Sequence, residues 1–326
     1  MTRQKQGWMD RCIVLTPTAS WGAWVDRLSA AAERHNFKLV VFHDDCQEES
    51  GPGDDRIFLT SNPKFIQPSP LAHVALIVVD AQTAAPQTSV MTGAQGRDAV
   101  VDASRLLVET LLTPASCVVT DGSLALKGRQ VELFPGFSVE APESATLEPQ
   151  SDLDRASAAA FEVYRDGLPA AGATFDWSHD LFLYDPRRRD QRVEIQQLDM
   201  TGGPRSLVHG PDMILPPGVW EVTAQFSMDQ AGSAHRLRIE WGVGDDFNSF
   251  DATPTREGVF KLTISHLFES VGPVELRIKL TEGCMGGYFE FHGATLKLLR
   301  AGSFARSLPS TGQDISQVMA VAAFPQ

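Results

Sequence analysis

Trp220-Glu221-Val222-Thr223-Ala224-Gln225-Phe226-Ser227 decides the fold of the C-terminal third. Trp220, Val222, Ala224 and Phe226 alternate with polar residues, the period of a strand with one buried and one solvated face. The same period returns in Leu237, Ile239 and Trp241, in Phe260, Leu262 and Ile264, and in Leu276, Ile278 and Leu280 against Arg277 and Lys279. Phe289 and Phe291 precede a last strand, Ala294 to Leu299. Turn sequences separate the runs, among them Leu215-Pro216-Pro217-Gly218 and the segment Gly283 to Gly287. With no helical period between them, these strands predict an antiparallel β-sandwich of jelly-roll type over residues 190–301.

Upstream the period changes. A chain of 326 residues is long enough for two cores. The apolar runs Cys12 to Thr16, Lys38 to His43, Arg56 to Thr60, Val74 to Asp80 and Ser116 to Thr120 read as buried strands. Helical spacing appears from Ser20 to His35 and from Arg97 to Leu112. Apolar strands alternating with helices predict a parallel sheet covered on both faces. We read residues 9–140 as a small Rossmann-like or flavodoxin-like α/β domain, ending in a hairpin from Leu124 to Phe134 that turns at Lys127-Gly128. Residues 141–189 read as a connector with one helix, Ser151 to Tyr164, capped by Ser151. Residues 302–326 form a tail whose Ile315, Val318, Met319 and Val321 suit a docked helix or a partner-binding segment.

Hydrophobic residues make up 43% and charged residues 21%, a globular composition. The net charge of −13 argues against nucleic acid, which needs a basic stripe, and against an anionic membrane surface. No apolar run reaches membrane-helix length, and none of signal-peptide length follows the N-terminus, so the expectation is a soluble cytoplasmic protein without membrane insertion. Cys12, Cys46, Cys117 and Cys284 form no CxxC pair, so neither a zinc ribbon nor a redox site is indicated. Cys12 and Cys117 lie in apolar runs and read as core residues. No cofactor or metal is expected.

Ligands of open α/β sheets sit beyond the carboxyl ends of the strands. Those ends carry Thr16-Pro17-Thr18-Ala19-Ser20, His43-Asp44-Asp45, Thr60-Ser61-Asn62 and Asp80. Ser20, Asp44 and Asp80 are the pocket candidates. Ser20 at a helix start could cradle a phosphate, or Thr18 or Ser20 could simply cap the helix. Asp44 and Asp45 open an acidic loop running through Glu48, Glu49, Asp54 and Asp55, whose carboxylates suit either solvent or a hard cation. The chain has no GxGxxG, no P-loop, no GxSxG and no HExxH. No catalytic residue is assigned, and a small carbohydrate-active enzyme, a glycosyltransferase or hydrolase, stands as the alternative reading. A purely structural docking adaptor is a third.

The sandwich carries the stronger clue. Sugar-binding faces combine aromatic rings, which cover sugar C–H faces at small entropic cost, with polar groups that read hydroxyls. The candidates are Trp241, Phe247, Phe250, Tyr288 and His292, beside Asp245, Asp246, Asn248 and Asp251. The stretch Gly242 to Thr255 reads as a loop rich in aromatics and acids. A core role competes for Trp220, Phe226, Trp241, Phe260, Phe289 and Phe291, which fall on inward positions.

His209-Gly210-Pro211-Asp212, followed by Leu215-Pro216-Pro217-Gly218-Val219-Trp220-Glu221-Val222, resembles a turn and strand of the jelly-roll carbohydrate-binding modules attached to bacterial glycosyltransferases and polysaccharide-biosynthesis proteins. Gly258-Val259-Phe260 and Phe291-His292-Gly293 match its later strands. The resemblance covers about a third of the chain and implies a non-catalytic accessory of exopolysaccharide or capsule synthesis. Its expected partner is a glycan or a biosynthetic enzyme. The N-terminal domain lacks the size and the paired carboxylates of a complete glycosyltransferase.

Overall fold

Five short apolar runs build the first sheet. β1 (Arg11–Leu15), β2 (Lys38–Phe42), β3 (Arg56–Thr60), β4 (His73–Val79) and β5 (Cys117–Asp121) lie parallel in the order β2-β3-β1-β4-β5. The computed structural model describes residues 11–42, 56–66, 73–121, 128–143, 151–185 and 197–302. The chain separates after Gln150 into two compact units.

In the first unit the strand residues alternate between two buried faces. Ile13, Leu15, Ile57, Leu59, Ala75, Ile77 and Val119 share a core with Trp24, Leu28, Ala31 and Ala32 of α1 (Trp21–Arg34). Cys12, Val14, Phe58, Val74, Leu76 and Val78 are buried as the opposite set, and α3 (Arg97–Leu111) packs against β4. Burial drives the Cys12 thiol up to about 12, as befits a core residue. This is the parallel sheet the apolar runs predict, but its order is neither the Rossmann 3-2-1-4-5-6 nor the flavodoxin 2-1-3-4-5. β3 pairs with both β1 and β2. Its Ile57 to Thr60 are buried and need neighbours on both sides, whereas β2, half-buried or exposed throughout, suits the edge.

Two elements of this unit differ from expectation. α2 (Ala84–Thr92) was not foreseen, because Pro86 and the absence of an apolar stripe hide it. A hairpin of β6 (Gln130–Phe134) and β7 (Phe137–Glu140), turning at Pro135-Gly136, was not foreseen, while the first arm of the hairpin expected at Lys127-Gly128 lies outside the described residues. Gly136 supplies the left-handed φ of 76° that the turn requires. Leu124 to Lys127, the acidic loop from His43 and the C-terminal tail lie outside the described residues.

The second unit begins at Ser151, within the segment read as a connector. α4 (Asp152–Phe161) carries a reciprocal capping box between Ser151 and Asp154. It packs on β8 (Thr174–Trp177), which pairs with the last strand, β17 (Tyr288–Ala301). β9 (Leu183–Tyr184) pairs with β11 (Arg205–Leu215). These residues are therefore part of the sandwich, held there because Phe175, Trp177, Leu181 and Phe182 are buried.

Two antiparallel sheets face each other. The first runs β10 (Gln197–Asp199), β17, β12 (Gly218–Met228), β15 (Gly258–Phe268), with β8 also on β17. The second runs β14 (Asp246–Ala252), β13 (Leu237–Val243), β16 (Gly272–Leu280), β11, β9. Between them Trp177, Trp220, Trp241, Phe268, Phe289 and Phe291 are buried. Trp241 meets Phe268 edge-on at 5.4 Å and Trp177 at 5.9 Å, the geometry aromatic quadrupoles favour. The Trp220 indole donates to the Pro216 carbonyl at 2.9 Å, so the Pro-Pro-Gly corner and the core are tied together.

Three local readings change. His209 to Asp212 is not a turn but the middle of β11, which bulges between Pro211 and Met213, with Asp212 at φ 66°. Phe289, Phe291 and Ala294 to Leu299 belong to one strand, bulged at His292. Asp246 to Ala252 forms strand β14 rather than a loop, because Phe250 and Ala252 still alternate toward Ile239 and Leu237. Among the described residues no helix is long and apolar enough to cross a membrane.

Candidate functional site

At the carboxyl ends of β1, β4 and β5 the polar groups satisfy one another. The Thr18 hydroxyl donates to the Asp121 carboxylate and accepts from the Ser20 amide at 3.2 Å. The Ala19 amide donates to Gln87 Oε1 at 2.7 Å, and Gln87 Nε2 donates to Thr83 Oγ1 at 2.6 Å. Thr16 accepts from the Val79 amide at 2.6 Å. Thr16, Thr18, Ser20, Thr83, Gln87 and Asp121 are all buried. A phosphate cradle needs helix-start amides aimed outward, and here those of Ala19 and Ser20 point at protein oxygens. Ser20 occupies the N-cap position of α1 without a side-chain cap bond, so the capping expectation does not hold for it. Asp80 caps a short 3₁₀ turn, accepting from the Gln82 amide at 2.8 Å. Asp44 lies outside the described residues. Ser20 is thus buried beside this network, and Asp80 is engaged at its own turn.

The sandwich candidates are not brought together either. Trp241 is fully buried between Trp177 and Phe268 and is a core residue. Phe250 stands opposite Ile239 on the inward row and is half-buried. Asp245 is at the exposed tip between β13 and β14. Asp246 turns toward His266, 3.5 Å from its Nε2. Tyr288 and His292 stand on the outer side of the first sheet, where His292 Nε2 lies 3.1 Å from Ser227 Oγ. Of the aromatic candidates, Phe247 is the one that faces outward on the second sheet.

Around Phe247 the register assembles a group that sequence reasoning missed. Gly242 lies between Phe247 of β14 and Glu275 of β16, and the next outward row is Ser249, Glu240, Arg277 and His209. Gly242 has no side chain, so Arg277 reaches diagonally over β13. Its guanidinium sits 4.0 Å above the Phe247 ring, a cation–π contact. Glycine is required at 242, because a Cβ would lie 2.0 Å from the Asp246 carbonyl oxygen. The same guanidinium reaches Glu275 at 2.5 Å and Glu240 at 3.8 Å. Lys279 meets Glu240 at 2.7 Å, and His209 Nδ1 meets Glu275 at 3.6 Å.

Glu240 and Glu275 keep only 13% and 15% of their side-chain surface exposed. Burial pushes the Glu275 carboxyl up, but hydrogen bonds from His209 and Arg277, with their charges, outweigh it and hold the group at about 2. Glu275 is therefore a fixed acceptor and Arg277 a fixed donor at any neutral pH. An aromatic ring, a guanidinium, two carboxylates, an ammonium and an imidazole occupy adjacent strands roughly 4.8 Å apart. The signal available in sequence was the outward alternation of Glu275, Arg277 and Lys279, which reads equally as an ordinary solvated face.

No family model matches the chain, and no curated protein matches its sequence. Among solved structures it is similar to TmCBM61 in complex with β-1,4-galactotriose, at 11% identity and TM-score 0.25, covering 41% of this chain and 93% of that one. It is similar to the CBM22-1 xylan-binding domain from Paenibacillus barcinonensis Xyn10C, at 14% identity and TM-score 0.29, covering 41% and 99%. A third, Family 16 Carbohydrate Binding Module-2, has 12% identity and TM-score 0.23, covering 32% and 78%. These neighbours are carbohydrate-binding modules with a β-sandwich fold.

Proposed function

We propose that the sandwich binds a glycan on the outer face of its second sheet, at Phe247, Arg277, Glu275, Glu240, Lys279 and His209. One observation carries the reading: Arg277 is pinned at once by a ring and two carboxylates, so hydroxyl-reading groups are positioned before any ligand arrives. Preorganised donors and acceptors lose little freedom on binding. The Phe247 ring offers area for a sugar C–H face, while Glu275 and Arg277 suit the hydroxyls beside it. The chain would act as a non-catalytic factor of exopolysaccharide or capsule synthesis in the cytoplasm, a role supported by the motif from His209 to Val222. The enzyme alternative draws no support from the strand ends of the first unit, where the buried polar groups are bound to each other.

The test is glycan-array binding of the full chain beside Phe247→Ala and Tyr288→Ala variants. Losing an aromatic contact worth about 0.5–1.5 kcal/mol should weaken binding by roughly 2- to 12-fold in Phe247→Ala. Tyr288→Ala, on the opposite sheet, should bind as wild type. Retention of no glycan by folded wild-type chain removes the function, and loss in Tyr288→Ala alone moves the site to the first sheet.

A further inference from the structure

His266 is 5% exposed on the inward side of β15, level with Trp220 of β12 and 4.7 Å from the Phe268 ring. Neither ring nitrogen makes a hydrogen bond to a described residue. Buried polar groups are nearly always paired, so such an exception asks for an explanation. Among the described residues the one charged group bearing on the ring is Asp246, whose carboxylate lies 3.5 Å from Nε2 and is 78% exposed. Trp220 of β12 stands opposite it, Phe268 packs beside the ring, and Ile264 is the preceding inward residue of β15.

Asp246 is the first residue of β14, an edge strand that among the described residues pairs only with β13. β14 also closes the seam to the first sheet, where Asn248 Nδ2 donates to the Ser265 carbonyl at 2.7 Å. The next residue, Phe247, points outward and carries the stacked Arg277. One short strand therefore holds the histidine's counter-ion on one side and the binding ring on the other.

We propose that His266 makes the glycan site acid-releasing: its protonation frees the start of β14 from the seam and carries Phe247 away from Arg277. This rests on the binding site proposed above. An imidazolium among Trp220, Phe268 and Ile264 demands solvent or a close carboxylate. The Asp246 carboxylate already at 3.5 Å does not offset the burial, so solvent is reached by opening β14, an edge strand of its sheet. Burial lowers the His266 pKa, partly opposed by Asp246. A histidine with a lower pKa closed than open binds the proton preferentially when open, so opening grows as pH falls below the ordinary value of about 6.5.

The experiment is amide hydrogen exchange of the full chain, with protection factors for 246–252 followed from pH ~8 to pH ~5. Wild type should lose protection there by up to about tenfold per pH unit below the transition, while β16 keeps its own. His266→Phe, which packs beside Phe268, should hold its protection throughout. Asp246→Asn should deepen the acid loss of protection without moving its onset, since the closed ring loses the carboxylate that favours its charge while the open ring is unchanged. His209 and Glu275 lie on the outer face, so His209→Gln should leave the β14 profile as in wild type. A flat wild-type profile, or an equal loss in His266→Phe, overturns the switch. Any array glycan held at pH ~8 should be released at pH ~5 by wild type and retained by His266→Phe. Absence of any glycan overturns the binding reading alone, because the exchange result still decides the switch.

Discussion

Two polar clusters in this chain are built from similar residues and spend them differently. At the strand ends of the first unit, Thr18, Asp121, Gln87 and Thr83 are buried and bonded to one another. On the second sandwich sheet, Phe247, Arg277, Glu275 and Glu240 are paired yet open along one side. A saturated buried network specifies a fold, because every lost bond strands a partner away from water. A paired but accessible one can exchange part of its contacts for a ligand's. The lesson is that position at a strand end is a poor guide to function until the hydrogen bonds there have been counted.

The sharpest way to break this contrast is Asp121→Ala. It removes the acceptor of the buried Thr18 hydroxyl, and the first unit should lose about 2–3 kcal/mol. A denaturation curve reads the loss, and glycan binding should not change. If binding fell with it, the first cluster would have a role beyond the fold. Gly242→Ala comes next. The new Cβ must push β14 outward, costing the sandwich about 1–3 kcal/mol as overpacking does and separating Phe247 from Arg277. Binding should fall with the sandwich's melting temperature, and binding unchanged in a stable variant would remove Phe247 from the site.

The smallest effect concerns Glu275. Its folded pKa of about 2 lies below the ordinary 4.5, so its contribution is complete above 4.5 and is lost as pH falls through about 2. With His209 and Arg277 partly exposed, we expect about 1 kcal/mol over that range. Glu275→Gln should flatten the acid limb of a stability-against-pH curve by that amount. An unaltered limb would mean that the pair adds nothing to the fold.

Much of the architecture was legible because it depends on period. Trp220 to Ser227 and Leu276 to Leu280 alternate without a break, and both are strands of the sandwich. The apolar runs from Cys12 to Thr16 and from Val74 to Asp80 read correctly as parallel strands for the same reason. Strand order was not legible, since it follows from which strand is buried on both sides, and β3 shows that only in three dimensions. β14 was missed because Asp246, Asn248 and Asp251 obscure the alternation of Phe250 and Ala252. Of the candidate site, Phe247 was visible as an aromatic out of place. Arg277 and Glu275 were visible only as an ordinary polar face, because their meeting depends on the gap left by Gly242 in another strand.

The pairing of β8 with β17 has a practical side. Thr174 to Lys297 and Trp177 to Ala294 are its ends, and Trp177 seals the wall formed by Trp241 and Phe182. A sandwich cut from the chain at residue 190 would lose Trp177 and Phe182, leaving Trp241 and Phe291 wet and the edge of β17 with free hydrogen-bonding groups. Such an edge templates strand addition from a second molecule. The truncated piece should accordingly be prone to aggregation, and a piece beginning before Ser151 should not.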